Sequence, residues 1–304
     1  MVSKPSEKNY SILHKFFSLL SVVRGYNIFI LVAAQYLAAI FIFSPETSLR
    51  EVLLDFNLLF IVFATICVIA AGYIINNFYD AEKDRINRPL KAKIDAIVNQ
   101  KTKLNIYFFL NFLGFVLGFM VSWKAAFFFA IYIFLIWFYS HKLSRFPLTG
   151  LLASTVLSLL PFFVIFVYYR NFSKVIFVHA LFLGIIFLIK ELIKELENIK
   201  GDLLQEYKTV PIVYGELFTK LAITILALLL IVPAYFLWSY PEIGHMKYYF
   251  YLTGILLAGS CILLWFGTSK KYYVFLHNVI KFILILGVFS LVLIDTSVIV
   301  KRLL

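Results

Sequence analysis

Apolar residues run through this chain in long unbroken stretches and not in the alternation of a half-buried strand. A helix needs on the order of 20 such residues to cross about 30 Å of hydrocarbon. About nine runs of that kind recur, centred near residues 35, 65, 112, 132, 159, 183, 227, 257 and 285; the third and fourth are parted only by "SWKAA". The pattern predicts an all-α, polytopic membrane protein with about nine transmembrane helices, in one domain over residues 1–304. Continuous runs without a period of two argue against a β-barrel.

Composition strengthens this picture. The chain is 62% hydrophobic and only 14% charged, and its mean hydropathy is +0.93. A soluble domain would carry roughly a quarter charged residues. The formal charge of +12 does not point to nucleic acid, because most Lys and Arg gather in connections that alternate spans place on one membrane face. Such an asymmetry orients membrane proteins with that face toward the cytoplasm. It puts residues 80–103, 141–149 and 196–215 in the cytoplasm and the C-terminal "VKRLL" outside, in a multi-pass protein of the cell membrane. The opening "MVSKPSEKNYSILHKFFSLLSVVRG" is interrupted by Arg24 and lacks a small-residue cleavage pattern, so it is expected to be an amphipathic lead-in and not a signal peptide. Cys67 and Cys261 lie inside predicted spans without metal-ligand spacing, and are expected to pack.

Unusual chemistry is concentrated on the cytoplasmic face. The second span ends in "NNFYDAEKDRINRP", where Asn77, Asp80 and Asp84 are spaced three and then four apart. The sixth ends in "KELIKELENIKGD", where Glu195, Asn198 and Asp202 repeat that spacing. On a helix either trio forms a stripe on one face. One such stripe alone is an ordinary solvated helix end; two with the same spacing on one face suggest a site. Their recurrence also hints at a duplicated four-helix unit, about 16–145 and 150–270, followed by a ninth helix.

Hard oxygen donors without histidine or thiolate suit Mg2+, which takes one or two carboxylates from protein and completes its shell with water and phosphate. Cations are interleaved with the acids: Lys83, Arg85 and Arg88 near the first stripe, and Lys190, Lys194, Lys200 and Lys208 near the second. A third loop, "FYSHKLSRFP", adds Tyr139, Lys142 and Arg145. Taken singly, most of these cations are explained by the charge asymmetry. Together with a metal at the mouth of an apolar, aromatic bundle, they describe a site for a polyphosphate head and a hydrocarbon tail, such as an allylic prenyl diphosphate.

The chain resembles the UbiA superfamily of intramembrane prenyltransferases over nearly its full length. "NNFYDAEKDRINRP" resembles the family's first aspartate-rich motif, with Asn76, Asn77, Asp80 and Asp84 in matching places. "KELIKELENIKGDLLQEYKTVPIVYG" resembles the second, "YSHKLSR" the Tyr and Lys motif after the fourth span, and "RGYN" the pair Arg24 and Asn27 opening the first. The resemblance implies nine helices around a central cavity and Mg2+-dependent prenyl transfer. With the residue reading, it assigns metal binding to Asn77, Asp80, Asp84, Glu195, Asn198 and Asp202. Catalysis is assigned to Asp80, Asp84, Asp202 and Tyr139, and the diphosphate to Arg24, Asn27, Asn76, Arg88, Lys142, Arg145 and Lys194. The chain departs from the family's pattern at Asn77 and Asn198, where Asp is usual, and at Glu195, which replaces Asp.

The second motif, with Lys190, Glu191, Lys194, Glu197 and Gly201 around the ligands, looks most like the branch that prenylates geranylgeranylglycerol phosphate. Aromatic acceptors of quinone synthesis (4-hydroxybenzoate, a naphthoate or homogentisate) remain the alternative. The expected partners are thus a prenyl diphosphate, a lipid or aromatic acceptor and membrane lipids. A transporter is the rival from another class; it predicts ionisable residues near the bilayer midplane, where Gln35 and His179 are the main polar residues in view.

Overall fold

Polar residues between the apolar runs determine where each helix starts and stops. The computed structural model describes residues 11–295, so the expectations for the first ten residues and for "VKRLL" lie outside them. Helix α1 (Ile12–Val22) is capped by Ser11, whose hydroxyl accepts from the His14 amide. Its exposed Ile12, Leu13, Phe16 and Phe17 face outward and its Ser18 is buried. That inverted pattern suits a helix lying in the headgroup plane with its apolar side toward lipid. Arg24, at φ 51° and ψ 56°, makes the corner into α2 (Gly25–Ala38), which runs on through a π turn to Phe43. The short α3 (Leu49–Leu53) precedes α4 (Phe56–Tyr79), whose first turn is capped by Asp55 accepting from the Asn57 and Leu58 amides. After α4 come α5 (Ala81–Asn87) and α6 (Pro89–Asp95). Pro89 stands in the first turn of α6, where its missing N–H costs nothing.

The chain then re-enters the bundle through α7 (Gln100–Val121), α8 (Trp123–His141), α9 (Pro147–Tyr169) and α10 (Lys174–Leu204). Ser122 joins α7 to α8 and caps the latter through the Ala125 amide. In α9, Pro161 lacks the N–H that would bond Leu157, and the freed Leu157 carbonyl accepts from the Tyr132 hydroxyl at 3.1 Å. Beyond α11 (Val210–Val213), α12 (Glu216–Leu229) and α13 (Ile231–Ser239) make one span broken at Leu230, three residues before Pro233. The last two spans contain α14 (Lys247–Phe266) and α15 (Lys270–Ser290).

Among the described residues nine helical segments are long and apolar enough to cross a membrane, and each contains one of the expected centres. The most buried are those of α4 and α10. Around them pack α7 and α8 on one side and α9, α12 and α15 on the other. At 1.5 Å per residue, the 31 residues of α10 span about 46 Å, well beyond the roughly 30 Å of hydrocarbon. Its last turns therefore run past the apolar core, and they carry Glu191 to Asp202.

Candidate active site

The C-terminal turns of α4 and α10 are brought together by one asparagine. Asn87, at the end of α5, donates to the Asn198 carbonyl (3.2 Å) and accepts from the Gly201 amide (3.1 Å). Position 201 has to be glycine at this approach, since a Cβ there would sit 2.6 Å from Asn87 Cγ. Further ties cross the same gap: Arg88 donates to Glu197 at 2.9 Å and the Tyr207 hydroxyl to Asp80 at 3.2 Å. Within the α10 side, the Val210 amide donates to Glu195 at 3.0 Å.

Between the two helix ends lies a small polar cavity of about 60 Å³, lined by Asp80, Asp84, Glu195, Asn198, Asp202 and Lys83 among others. It adjoins a second cavity of about 770 Å³ that reaches into the bundle past Leu31, Ile69, Leu157, Phe182 and Leu284. That volume lies in the range of pockets that enclose most of a drug-sized ligand. Arg24, Asn76, Arg88, Tyr139, Glu191 and Lys194 line both and so form the passage between them. Asn27 lines the larger cavity and donates to the Tyr73 hydroxyl at 3.3 Å. The Arg24 guanidinium lies 5.1 Å from the centre of the Tyr73 ring.

Lys83 holds the acids together. Its ammonium lies 3.5 Å from Asp80 Oδ1, 3.3 Å from Asp202 Oδ1 and 4.4 Å from the centre of the Tyr207 ring. Burial works against this charge, but the attraction of Asp80 and Asp202 outweighs it and holds the ammonium above the usual lysine range. Burial, with the Asp80 charge added, pushes the Asp84 carboxyl up despite Lys91, Arg88 and Lys83 nearby.

The donor set fits a hard divalent cation. Asn198 Oδ1 is buried without a hydrogen-bond partner, and the buried Asp202 Oδ1 meets only the Lys83 ammonium, as an ion pair at 3.3 Å. Buried oxygens left in this state cost free energy unless a cation or water meets them. Among the described residues no three His, Cys, Asp or Glu side chains are already drawn together tightly enough to ligate a metal. Asp80, Asp84, Glu195 and Asp202, with the amides of Asn76 and Asn198, are the groups that would hold one.

Two expectations change. Asn77 does not join the acidic stripe. It is buried on another side of α4, donating to Asp95 Oδ2 (3.0 Å) and accepting from the Lys103 ammonium (2.9 Å). Neighbouring residues on a helix point about 100° apart, so the face that looks into the polar cavity is the one shared by Asn76, Asp80 and Asp84. Lys142 and Arg145 line neither cavity and are exposed. Arg145 lies over the Tyr207 ring at 5.7 Å, and its carbonyl accepts from the Lys208 amide. Of that motif Tyr139 lines both cavities, Ser140 the larger one alone and Ser144 the polar one alone.

Several residues at the site escaped the sequence reading, notably Asn87, His277 and Lys281. His277 donates from Nδ1 to the Glu197 carboxylate at 2.6 Å, and Lys281 lines the larger cavity. A signal was present: a histidine and a lysine four apart within an apolar span form an ionisable pair on one helix face.

Known proteins share this architecture. A UbiA homologue from Aeropyrum pernix K1, in its apo form, matches with a TM-score of 0.67 over 92% of this chain and 98% of its own, at 15% identity. One from Archaeoglobus fulgidus, bound to GPP and Mg2+, matches with a TM-score of 0.62 over 90% and 99%, at 10% identity. At such identities the likeness establishes the fold. In sequence, the digeranylgeranylglyceryl phosphate synthase of Thermococcus gammatolerans is 32% identical over 162 residues. That match spans 52% of this chain and only 56% of the relative. The UbiA prenyltransferase family matches residues 27–274, from the Asn27 that reaches Tyr73 to the α15 helix beside the cavity. With both helix-end motifs inside the matched range and the nine-span bundle around them, the chain belongs to the UbiA prenyltransferase family.

Proposed function

We propose that this protein transfers a prenyl group from an allylic prenyl diphosphate to the free hydroxyl of geranylgeranylglycerol phosphate, forming an ether lipid at the cytoplasmic face of the membrane. The observation that carries the reading is the direct passage from an acidic, cation-rimmed polar cavity into an apolar one of about 770 Å³. A diphosphate head and a prenyl chain need those two environments side by side. The acceptor follows from the resemblance of the second motif and from the name of the Thermococcus relative.

In this reading Asp80, Asp84, Glu195 and Asp202, with Asn76 and Asn198, hold Mg2+, which when bound offsets the charge of the departing diphosphate. Arg24, Arg88 and Lys194 surround the diphosphate from the passage. Asn27 and Tyr73 fix the wall on which Arg24 rests. Tyr139, between the two cavities, presents its ring where the allylic carbon gains positive charge, an arrangement stabilised by the ring quadrupole. The apolar lining excludes water from that carbon. The bond from the allylic carbon to the diphosphate oxygen breaks, a bond to the acceptor oxygen forms, and the hydroxyl proton leaves with the diphosphate.

The test is turnover of labelled geranylgeranyl diphosphate by the purified protein with Mg2+ against geranylgeranylglycerol phosphate, 4-hydroxybenzoate, a naphthoate and homogentisate. Labelled ether lipid is the expected product. Product with an aromatic acceptor alone would reassign the acceptor, and no product with any would reject prenyl transfer to this group of molecules.

A further inference from the structure

The polar end of the larger cavity carries more positive charge than one diphosphate explains. Arg24, Arg88, Lys91, Lys190, Lys194 and Lys281 all line it. Three carboxylates answer them. Glu191 is shared by Lys190 (3.0 Å) and Lys194 (2.7 Å), Glu197 is held by Arg88 and His277, and Asp95 by Lys91 at 2.5 Å. Arg24 and Lys281 have no carboxylate partner among the described residues.

Lys281 is the telling member. It lies eleven positions into α15, about 16 Å along the helix at 1.5 Å per residue, deep for a charge inside a span. The cations Arg88, Arg24 and Lys190 and the acid Glu197 act on it electrostatically. A membrane-embedded lysine is expected to face a cavity and to meet an opposite charge there, and here the cavity supplies mainly like charge. His277 lies one turn before Lys281 on α15, as Lys194 lies one turn after Lys190 on α10, and the two helices pack together. Lys190, His277 and Lys281 line the larger cavity and not the polar one, whereas Asp80, Asp84, Glu195 and Asp202 line the polar cavity and not the larger.

We propose that Lys281, Lys190 and His277 form a second anion-binding subsite, distinct from that of the leaving diphosphate, which takes the phosphate monoester of the lipid acceptor. This rests on the acceptor reading given above. The subsite would fix the acceptor by its phosphate so that the nearby hydroxyl meets the allylic carbon in the passage, and would leave the diphosphate to Arg24, Arg88 and Lys194. Phosphate would then act as the recognition handle and the alkyl chain as ballast in the apolar cavity.

Two measurements test it. In the first, the protein is saturated with Mg2+ and a non-reactive thio analogue of geranylgeranyl diphosphate, and glycerol 1-phosphate is titrated while thermal stability is followed. Saturable stabilisation is expected in the wild type, loss of it in Lys281→Gln, and its recovery in Lys281→Arg. No stabilisation of the wild type, or equal stabilisation of Lys281→Gln, would overturn the subsite, whichever acceptor the protein uses. In the second, Lys281→Gln should raise KM for geranylgeranylglycerol phosphate roughly tenfold, the worth of one charge-assisted hydrogen bond, while changing KM for the donor less than twofold. An equal rise in both would place Lys281 with the diphosphate and overturn the proposal. A wild type that binds glycerol phosphate but prenylates only an aromatic acceptor would refute the acceptor reading and leave the anion subsite standing.

Discussion

Lys83 puts an ammonium where the two acidic motifs face each other, and so gives the metal-free protein a cation of its own between Asp80 and Asp202. Removing one partner of such a buried group leaves uncompensated charge, at a cost of about 1–3 kcal/mol for pairs that keep some water contact. Lys83→Met is therefore expected to melt several degrees lower without Mg2+, and to gain more from added Mg2+ than the wild type does. Thermal melts across a Mg2+ titration check both; an unchanged Mg2+ response would mean that Lys83 does not compete with the metal. Asn77 supports a different expectation. Its amide donates to Asp95 and accepts from Lys103, a pair of roles no carboxylate can fill. Asn77→Asp sets a carboxylate against Asp95, so it should lower the melting temperature by a few degrees while leaving the Mg2+ concentration for half-maximal activity unchanged. A shift in that concentration would return Asn77 to the metal site.

At the level of elements, the joint between α5 and α10 decides whether two helix-end stripes become one site. Ser18 and Ser21 of α1 donate to the Ile94 carbonyl and to Asp95 of α6 at 2.8 Å each, so the α5–α6 segment is pinned from one side. Asn87 pins it from the other through the backbone of α10. Gly201→Ala drives a methyl group into Asn87 and severs two hydrogen bonds of about 1 kcal/mol each, in addition to the clash. Activity is expected to fall at least tenfold with the protein still extractable and monodisperse. Pairing it with Asn87→Gly removes the clash but not the loss of hydrogen bonds, so the double variant should regain stability and little activity. Melting and turnover of the singles and the double separate the two contributions.

Across the whole molecule, orientation is open to a direct test. The charge asymmetry predicts that α5, α6 and the loop after α10 face the cytoplasm. Single cysteines at Gln100 and Lys208, both exposed, in a background lacking Cys67 and Cys261, should resist an impermeant thiol reagent in intact cells and react after permeabilisation. Labelling of intact cells would reverse the orientation. The apolar cavity also runs to the far end of the bundle, past Phe162 and Leu291, which leaves room for a long prenyl chain.

Hydrophobic run length alone determined the nine spans, because lipid admits a chain only where every backbone polar group is satisfied within its own segment. The two motifs were likewise legible, since three-then-four spacing puts Asp80 with Asp84, and Glu195 with Asp202, on common faces. Spacing could not say which of the adjacent Asn76 and Asn77 belongs to that face, because both lie within a turn of Asp80; the packing of α4 against α6 and α7 decided it. Nor could spacing reveal that Asn87 joins α5 to α10, or that Lys281 of the ninth span faces the cations of the first and sixth. Those contacts link residues some ninety positions apart or more, and only tertiary packing brings such distant positions within reach of one another.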